Sequence, residues 1–391
     1  MKKLDRRNFL KATSLSAIPL LLPVSLRASP LVNVGDKLEN NKSVSFIGDG
    51  ASLSPTEYID KLRLIDEDVE INKDTYGKGG VVAVLEEAFA DITGKEAAIY
   101  IPTGTLANQL AISQLSAEKT KVFVQDSSHI YRDEADAAQA VFRKRLMPLA
   151  EEAVYFTAGE LASAIDSLSS KEVFKSGVGV ISIENPVRRK MGATVPLKEI
   201  EAISQFCKQN DIKMHLDGAR LFLASAWTGT TIKAYSLPFD TVYISLYKYL
   251  GAAGGAMLCG DRSFIDKIPH LIKVHGGTIY QNWMNAAVAL EKLKTIEETL
   301  LLVVEKANRV VKGLDELEKV EVKAVESGTN IYTIKIAKGV DKEAFINKLV
   351  SLYQIEMIPL NDQNESILMM NETILNCPSS RIIEAFAAAS S

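Results

Sequence analysis

Between residues 97 and 259, short β-branched and aromatic runs alternate with helix-length segments, and few architectures satisfy that alternation. Residues 97–101, 121–125, 177–183 and 212–216 read as strands. Residues 82–92, 106–116, 158–167 and 197–209 read as helices, the first stopped by Gly94. Strands separated by helices of this length imply βαβ units and a mostly parallel sheet. Two further apolar runs, 241–246 and 256–259, flank a glycine-rich turn. From about residue 300 the texture changes to a long helix (300–317), then strand-like VEVKAV and NIYTIKI, another helix, IEMIPL, and a closing helix over 380–389. The expectation is an α/β fold with a large domain over 46–299 and a smaller α+β domain over 300–391.

Composition removes several function classes. The chain has 391 residues, 47% hydrophobic and 24% charged, as a soluble globular protein has. A net charge of −4 and a pI near 5.8 offer no surface for nucleic acid. The four histidines and three cysteines show neither HExxH nor CxxC spacing, so no metal is expected and no disulfide framework either. Cys207, Cys259 and Cys377 read as buried thiols.

The first residues carry an address. A basic head precedes an apolar run over 12–26 that is too short for a membrane span, and Ser14, Ser16, Pro19 and Pro23 interrupt it. Arg6-Arg7-Asn8-Phe9-Leu10-Lys11 resembles a twin-arginine export signal, with Asp5 where Ser or Thr is usual. The resemblance implies a signal over 1–28, a polar linker over 29–45, the twin-arginine export machinery as a partner, and an exported, periplasmic protein. With no cysteine near Ala28, a lipid anchor is not expected.

Ligands of open parallel sheets gather at the carboxyl ends of the strands, and four polar groups fall just past predicted strand ends. Pro102-Thr103-Gly104-Thr105 joins a strand to a helix, where small residues and open helix amides suit a phosphate. Thr103 or Thr105 reads equally well as a plain N-cap. His129 in QDSSHIY is as readily structural as catalytic. Asp217 in HLDGARLF is either a helix cap or the partner of a cationic ring nitrogen, and Arg220, one turn on, is placed to pair with it. Lys248 in SLYKYLGAAGG lies between a buried strand and glycines, where partial burial makes an amine nucleophilic. Neither GxGxxG nor GxxxxGK[ST] occurs. A lysine for the aldehyde, a carboxylate for the ring nitrogen, a flat group to stack and a phosphate cup are together what pyridoxal 5'-phosphate needs.

The stretches TYGKGGVVAVLEEAFADITGKEAAIYIPTGTLANQLA, SSHIYRDEADA, KMHLDGARLF, SLYKYLGAAGGAMLCG and IKVHGGTIYQN resemble the threonine aldolase and β-eliminating lyase family of fold-type-I pyridoxal-phosphate enzymes. The resemblance runs from Phe46 to the C-terminus. It implies a seven-stranded, mostly parallel sheet, a small C-terminal domain, and a homodimer or homotetramer with active sites between subunits. By motif, Lys248 holds the cofactor, Asp217 faces the ring nitrogen and His129 stacks on the ring. Gly104 and Thr105, with Thr103 beside them, cup the phosphate. Arg220 binds the carboxylate of a small-molecule amino-acid substrate, and Lys273 approaches the phosphate of the neighbouring subunit.

Departures from the family pattern bear on the substrate. Ile47-Gly48-Asp49 replaces Arg-Ser-Asp, and Glu184-Asn185-Pro186-Val187 replaces Glu-Asn-Thr-His. ESILMMNETIL lacks an arginine that would bind carboxylate, and Tyr280 stands where an arginine is usual. Arg132, Arg188 and Arg189 are candidates to compensate, although each reads first as a surface charge. The implied activity is cleavage of the Cα–Cβ bond of a β-hydroxy-amino acid, with a bulkier or less polar β-substituent because of Val187. Other pyridoxal-phosphate chemistry, such as β-elimination or reaction of an amine lacking a carboxylate, stays open, as does a non-catalytic exported binder of the cofactor.

Overall fold

The computed structural model describes residues 43–391. The export-signal segment 1–28, and all but the last three residues of the 29–45 linker, lie outside the described residues.

Twelve strands form three sheets in the described chain. In chain order they are β1 (Val44–Ser45), β2 (Ala97–Ile101), β3 (Lys121–Gln125), β4 (Arg145–Leu149), β5 (Val178–Glu184) and β6 (Lys213–Asp217), followed by β7 (Thr241–Ser245), β8 (Ala256–Gly260), β9 (Val320–Ala324), β10 (Ile331–Ile336), β11 (Ile355–Glu356) and β12 (Glu365–Met369). The large sheet has seven strands in the order β2-β8-β7-β6-β5-β3-β4. Every neighbouring pair is parallel except the two that β8 makes. The βαβ reading of the sequence is therefore met. β3, β7 and β8 are buried along their whole length, as strands covered on both faces by helices must be.

Register then sets the site. β5, β6 and β7 run parallel with Glu184 opposite Asp217 and Asp217 opposite Tyr243. β3 lies on the other side of β5. The carboxyl ends of four adjacent strands thus bring 125–129, 184–188, 217–220 and 245–248 to one edge of the sheet.

A first core fills the space around the large sheet, with Leu85, Phe89, Phe123, Ile183, Phe222 and Tyr249 among its buried members. A second core belongs to the C-terminal segments. It joins the helix Ile296–Asp315, the antiparallel sheet β12-β10-β9 and the helix Ser379–Ser390. Val44 and Phe46 lie in this second core, because β1 pairs in parallel with β11. The chain just before the cleft is consequently tied to the C-terminal layer, and residues 47–53 leave it to cross the edge of the large sheet. Among the described residues, no helix is long and apolar enough to cross a membrane.

Candidate active site

Lys248 stands three residues past the end of β7. Its loop is closed at the base where Leu246 N–H donates to the Gly255 carbonyl at 3.1 Å and Ala252 N–H to the Leu246 carbonyl at 3.2 Å. Residues 47–53 lie across this loop at contact distance. A Cβ on Gly50 would sit 2.9 Å from the Lys248 carbonyl oxygen, so only glycine allows that approach. Between the two segments opens a cleft of about 650 Å³ lined by Asp49, His129, Arg188, Arg220, Tyr247 and Lys248, among others. Burial, helped by the charge of Arg220, pushes the Lys248 amine down to about 8. A lysine in that state is neutral often enough to act as a nucleophile.

Asp217 ends β6 and is 1% exposed. Its Oδ1 accepts from Ala219 N–H at 3.2 Å and its Oδ2 from Asn108 Nδ2 at 3.0 Å. The same Asn108 amide donates to Glu134 Oε1 at 2.9 Å, and its carbonyl oxygen lies 3.0 Å from His215 Nε2. His215 Nδ1 in turn lies 2.8 Å from the Thr241 hydroxyl. Full burial pushes His215 down to about 4, so it is neutral, donates from Nε2 and accepts at Nδ1. Burial and the charge of Asp217 push Glu134 up to about 8, which keeps it protonated at neutral pH. The Asp217 carboxylate is thus fixed at the head of a buried hydrogen-bonded network.

His129 follows β3, and its backbone N–H donates to Glu184 Oε2 at 2.7 Å. Its Nδ1 lies 3.3 Å from Asp133 Oδ2. Burial lowers its pKa, so the ring is neutral, and Asp133 favours the proton on Nδ1. Nε2 is then left as an acceptor. Glu184, pushed up to about 7 by burial and by the charge of Asp217, also accepts the backbone N–H of Arg188 at 2.9 Å. It thereby ties the backbones of His129 and Arg188 to one carboxyl group.

Arg220 does not pair with Asp217, the partner that spacing alone suggests. Its Nε donates to Asp49 Oδ2 at 2.8 Å, across 171 residues, with the two side chains 15% and 6% exposed. The neighbour it finds is a residue of the crossing segment, which helical spacing cannot reveal. Among the described residues, its two terminal nitrogens make no hydrogen bond within the chain.

At the end of β2, Thr103 caps the helix Gly104–Ser116, accepting the Leu106 amide at 3.2 Å. The plain N-cap reading is right for that hydroxyl. The amides of Gly104 and Thr105 come before the first intrahelical bond and are open to an anion. Lys273 is not brought to the Lys248 cleft. It is exposed, with Nζ 5.7 Å from the centre of the Tyr76 ring, in a second hollow of about 400 Å³ that Pro102 also lines. Tyr280 stacks edge-on to Tyr76, ring centres 5.2 Å apart.

Two of the departures look different in three dimensions. Val187 is fully buried in the first core and does not face the cleft; the next residue, Arg188, does. The stretch that lacks an arginine contributes Glu372 instead, which pairs with Lys292 and accepts the Ala51 amide at 3.3 Å. Asp49, Asn108, Glu134, Glu184 and His215 receive no role from the sequence. Only the strand-end position of Glu184, two residues before a proline, hinted at a role.

A nucleophilic amine, a buried carboxylate, a flat neutral imidazole and an open helix end make up the donor set that pyridoxal 5'-phosphate requires. Among the described residues, no group of three or more His, Cys, Asp or Glu could hold a metal ion.

A family profile described as beta-eliminating lyase matches residues 54–337. The chain is 34% identical over 211 residues to the low-specificity L-threonine aldolase of Candida albicans, a match covering 54% of this chain and 56% of that protein. It is 32% identical over 288 residues to an alanine racemase of Cochliobolus carbonum, covering 71% and 72%. The chain therefore spans little more than half the length of the Candida relative. The structure of Leishmania major threonine aldolase has the same fold, with a TM-score of 0.70 at 19% identity, over 89% of this chain and 100% of that one.

Proposed function

Because this chain belongs to the beta-eliminating lyase family, we propose that it is a pyridoxal-phosphate lyase that cleaves the Cα–Cβ bond of a β-hydroxy-amino acid to glycine and an aldehyde. The observation that carries this reading is the meeting of Lys248, which lines the cleft with its amine pushed down to about 8, and Asp217, buried at the end of the neighbouring strand. The kinship with threonine aldolases supports it.

Bound pyridoxal 5'-phosphate supplies an electron sink for charge developing at the substrate's Cα. Lys248 would hold it through its amine, and Asp217 would keep a ring nitrogen protonated. Asn108 aims that carboxylate, with protonated Glu134 as a neutral neighbour. His129 would stack on the ring and take the β-hydroxyl proton at Nε2, its Nδ1 proton resting on Asp133. The amides of Gly104 and Thr105 would receive the phosphate. Arg220 presents its terminal nitrogens to the substrate carboxylate, while Asp49 fixes the guanidinium through Nε.

Lys273 belongs, in this reading, to the site of a second copy in a homodimer or homotetramer. Exposed Tyr76, Val274, Ile279 and Tyr280 around it form an apolar patch suited to self-association. The twin-arginine pattern at residues 5–11 supports export to the periplasm, which cell fractionation would test. One relative favours a second reading. Kinship with an alanine racemase fits removal and return of the Cα proton without bond cleavage.

One incubation separates these readings. The purified chain, loaded with pyridoxal phosphate, is expected to release acetaldehyde and glycine from L-allo-threonine. Lys248→Ala should lose both that turnover and the lysine-dependent visible absorption. Deuterium uptake at Cα of alanine from heavy water, without acetaldehyde, would favour racemisation. Ammonia and a keto acid would indicate elimination. Cofactor absorption with no product from any amino acid would leave a binder, and no absorption would overturn the cofactor assignment.

A further inference from the structure

Two guanidinium groups line the Lys248 cleft, whereas a simple β-hydroxy-amino acid has one carboxylate to offer them. Arg220 is the inner group, committed to Asp49 through Nε. Arg188 is the outer one, on the short turn Arg188–Lys190 after β5, along the wall that carries His129.

The other basic residues nearby are already engaged. Arg189 closes a two-point pair with Asp133, Nε at 2.9 Å from Oδ2 and a terminal nitrogen at 2.5 Å from Oδ1. Lys190 donates to the Glu152 carbonyl at 3.1 Å. Arg132 is bound to Asp126, with its Nε 2.8 Å from the carbonyl and a terminal nitrogen on the carboxylate. Asp133 thus serves Arg189 and His129, and Arg188 comes no nearer to it than 3.7 Å, outside hydrogen-bond range. The backbone of Arg188 is nevertheless fixed by Glu184 at 2.9 Å. An anchored backbone whose half-exposed guanidinium is held only by a long 3.7 Å ion pair, with no hydrogen bond, is a ready carboxylate receptor on a cleft wall.

We propose that Arg188 determines substrate specificity by receiving a carboxylate carried on the substrate's β-carbon, so that the cleft takes a β-hydroxy-amino acid with two carboxylates. The inference rests on the lyase reading above. Arg220 takes the α-carboxylate. Arg188 shares a wall with His129, the group assigned to the β-hydroxyl, and so meets the β-substituent instead. For β-hydroxyaspartate the Cα–Cβ bond breaks, the β-hydroxyl loses its proton and Cα gains one. Glycine and glyoxylate result, with no change of oxidation state overall.

The test compares β-hydroxyaspartate with L-allo-threonine on the loaded enzyme, by kcat/KM and by calorimetric binding. One charge-assisted contact should favour the dicarboxylate by about ten- to a hundredfold, mainly in KM. Arg188→Gln should bring the ratio close to one, and Arg188→Lys should keep part of it, since the charge survives without the fork. A wild-type ratio near one overturns the proposal. So does an Arg188→Gln variant that weakens both substrates equally, which would move this arginine to the α-carboxylate. If neither compound is turned over, the lyase reading fails, and calorimetry still decides for Arg188: preference for the dicarboxylate must be present and must vanish in Arg188→Gln.

Discussion

The Asp49–Arg220 pair shows how much a single contact decides here. Asp49 is almost removed from water and Arg220 is largely so, its terminal nitrogens still reaching the cleft, and their partnership is what makes a shielded guanidinium tolerable. Asp49→Ala is expected to destabilise the fold by about 3–5 kcal/mol, because the arginine is left charged and unpaired. Urea denaturation would check it. A loss below about 1 kcal/mol would mean that the pair behaves as an exposed one. At this scale the sequence was partly legible. Lys248 and Asp217 were readable because strand composition and strand ends are local facts. Asp49 was not, since nothing within the segment 47–53 announces a partner 171 residues away.

Among the elements, the helix Gly104–Ser116 begins under a tight steric limit. A Cβ on Gly104 would lie 2.0 Å from the Tyr243 hydroxyl oxygen and 2.5 Å from its Cζ, so β7 and this helix meet where only glycine fits. Gly104→Ala should cost about 1–3 kcal/mol as an overpacking change. Tyr243→Phe in the same chain should recover part of that loss. If thermal unfolding shows Gly104→Ala equally harmful with Tyr or Phe at 243, something other than the phenol limits the helix start. Most elements were predictable from periodicity, and the exceptions have causes. β4 lies at the sheet's edge, is mostly unburied and contains Pro148, so neither alternation nor a buried run marks it. The helix Pro55–Asp68 buries no residue fully, and its apolar stripe of Tyr58, Leu62 and Ile65 is blurred by Ile59 and Leu64 on the exposed side, yet Ser54 and Glu57 form a capping box that sequence can show. IEMIPL yields only the two-residue β11, since its pairing is limited to the equally short β1.

For the whole molecule, pH acts on the network behind Asp217. His215 has its pKa lowered to about 4, from 6.5 when unfolded. Between those values the unfolded chain takes up a proton that the native chain refuses. The stabilisation is therefore complete above pH 6.5 and is lost as pH falls to about 4, by roughly 3 kcal/mol in all. Imidazole resonances would show it directly. The His215 signal, identified by its loss in His215→Gln, should keep its neutral position down to about pH 5, and titration near 6.5 would contradict the burial argument. Glu134 has the opposite sign. Its pKa is raised to about 8, so its contribution is present below the ordinary carboxylate range and lost as pH rises through 8.

By itself, the sequence determined the alternation of strands and helices, the parallel sheet and the lysine, aspartate and histidine at its strand ends. Those follow from side-chain period and local composition, which act over a few residues. Tertiary structure alone decided that Asp49 holds Arg220, that Asn108 reaches Asp217 across 109 residues, and that Val187 turns inward while Arg188 faces the cleft. The physical reason is that charge state and availability depend on desolvation and on partners, and both are set by whichever distant segment packs alongside.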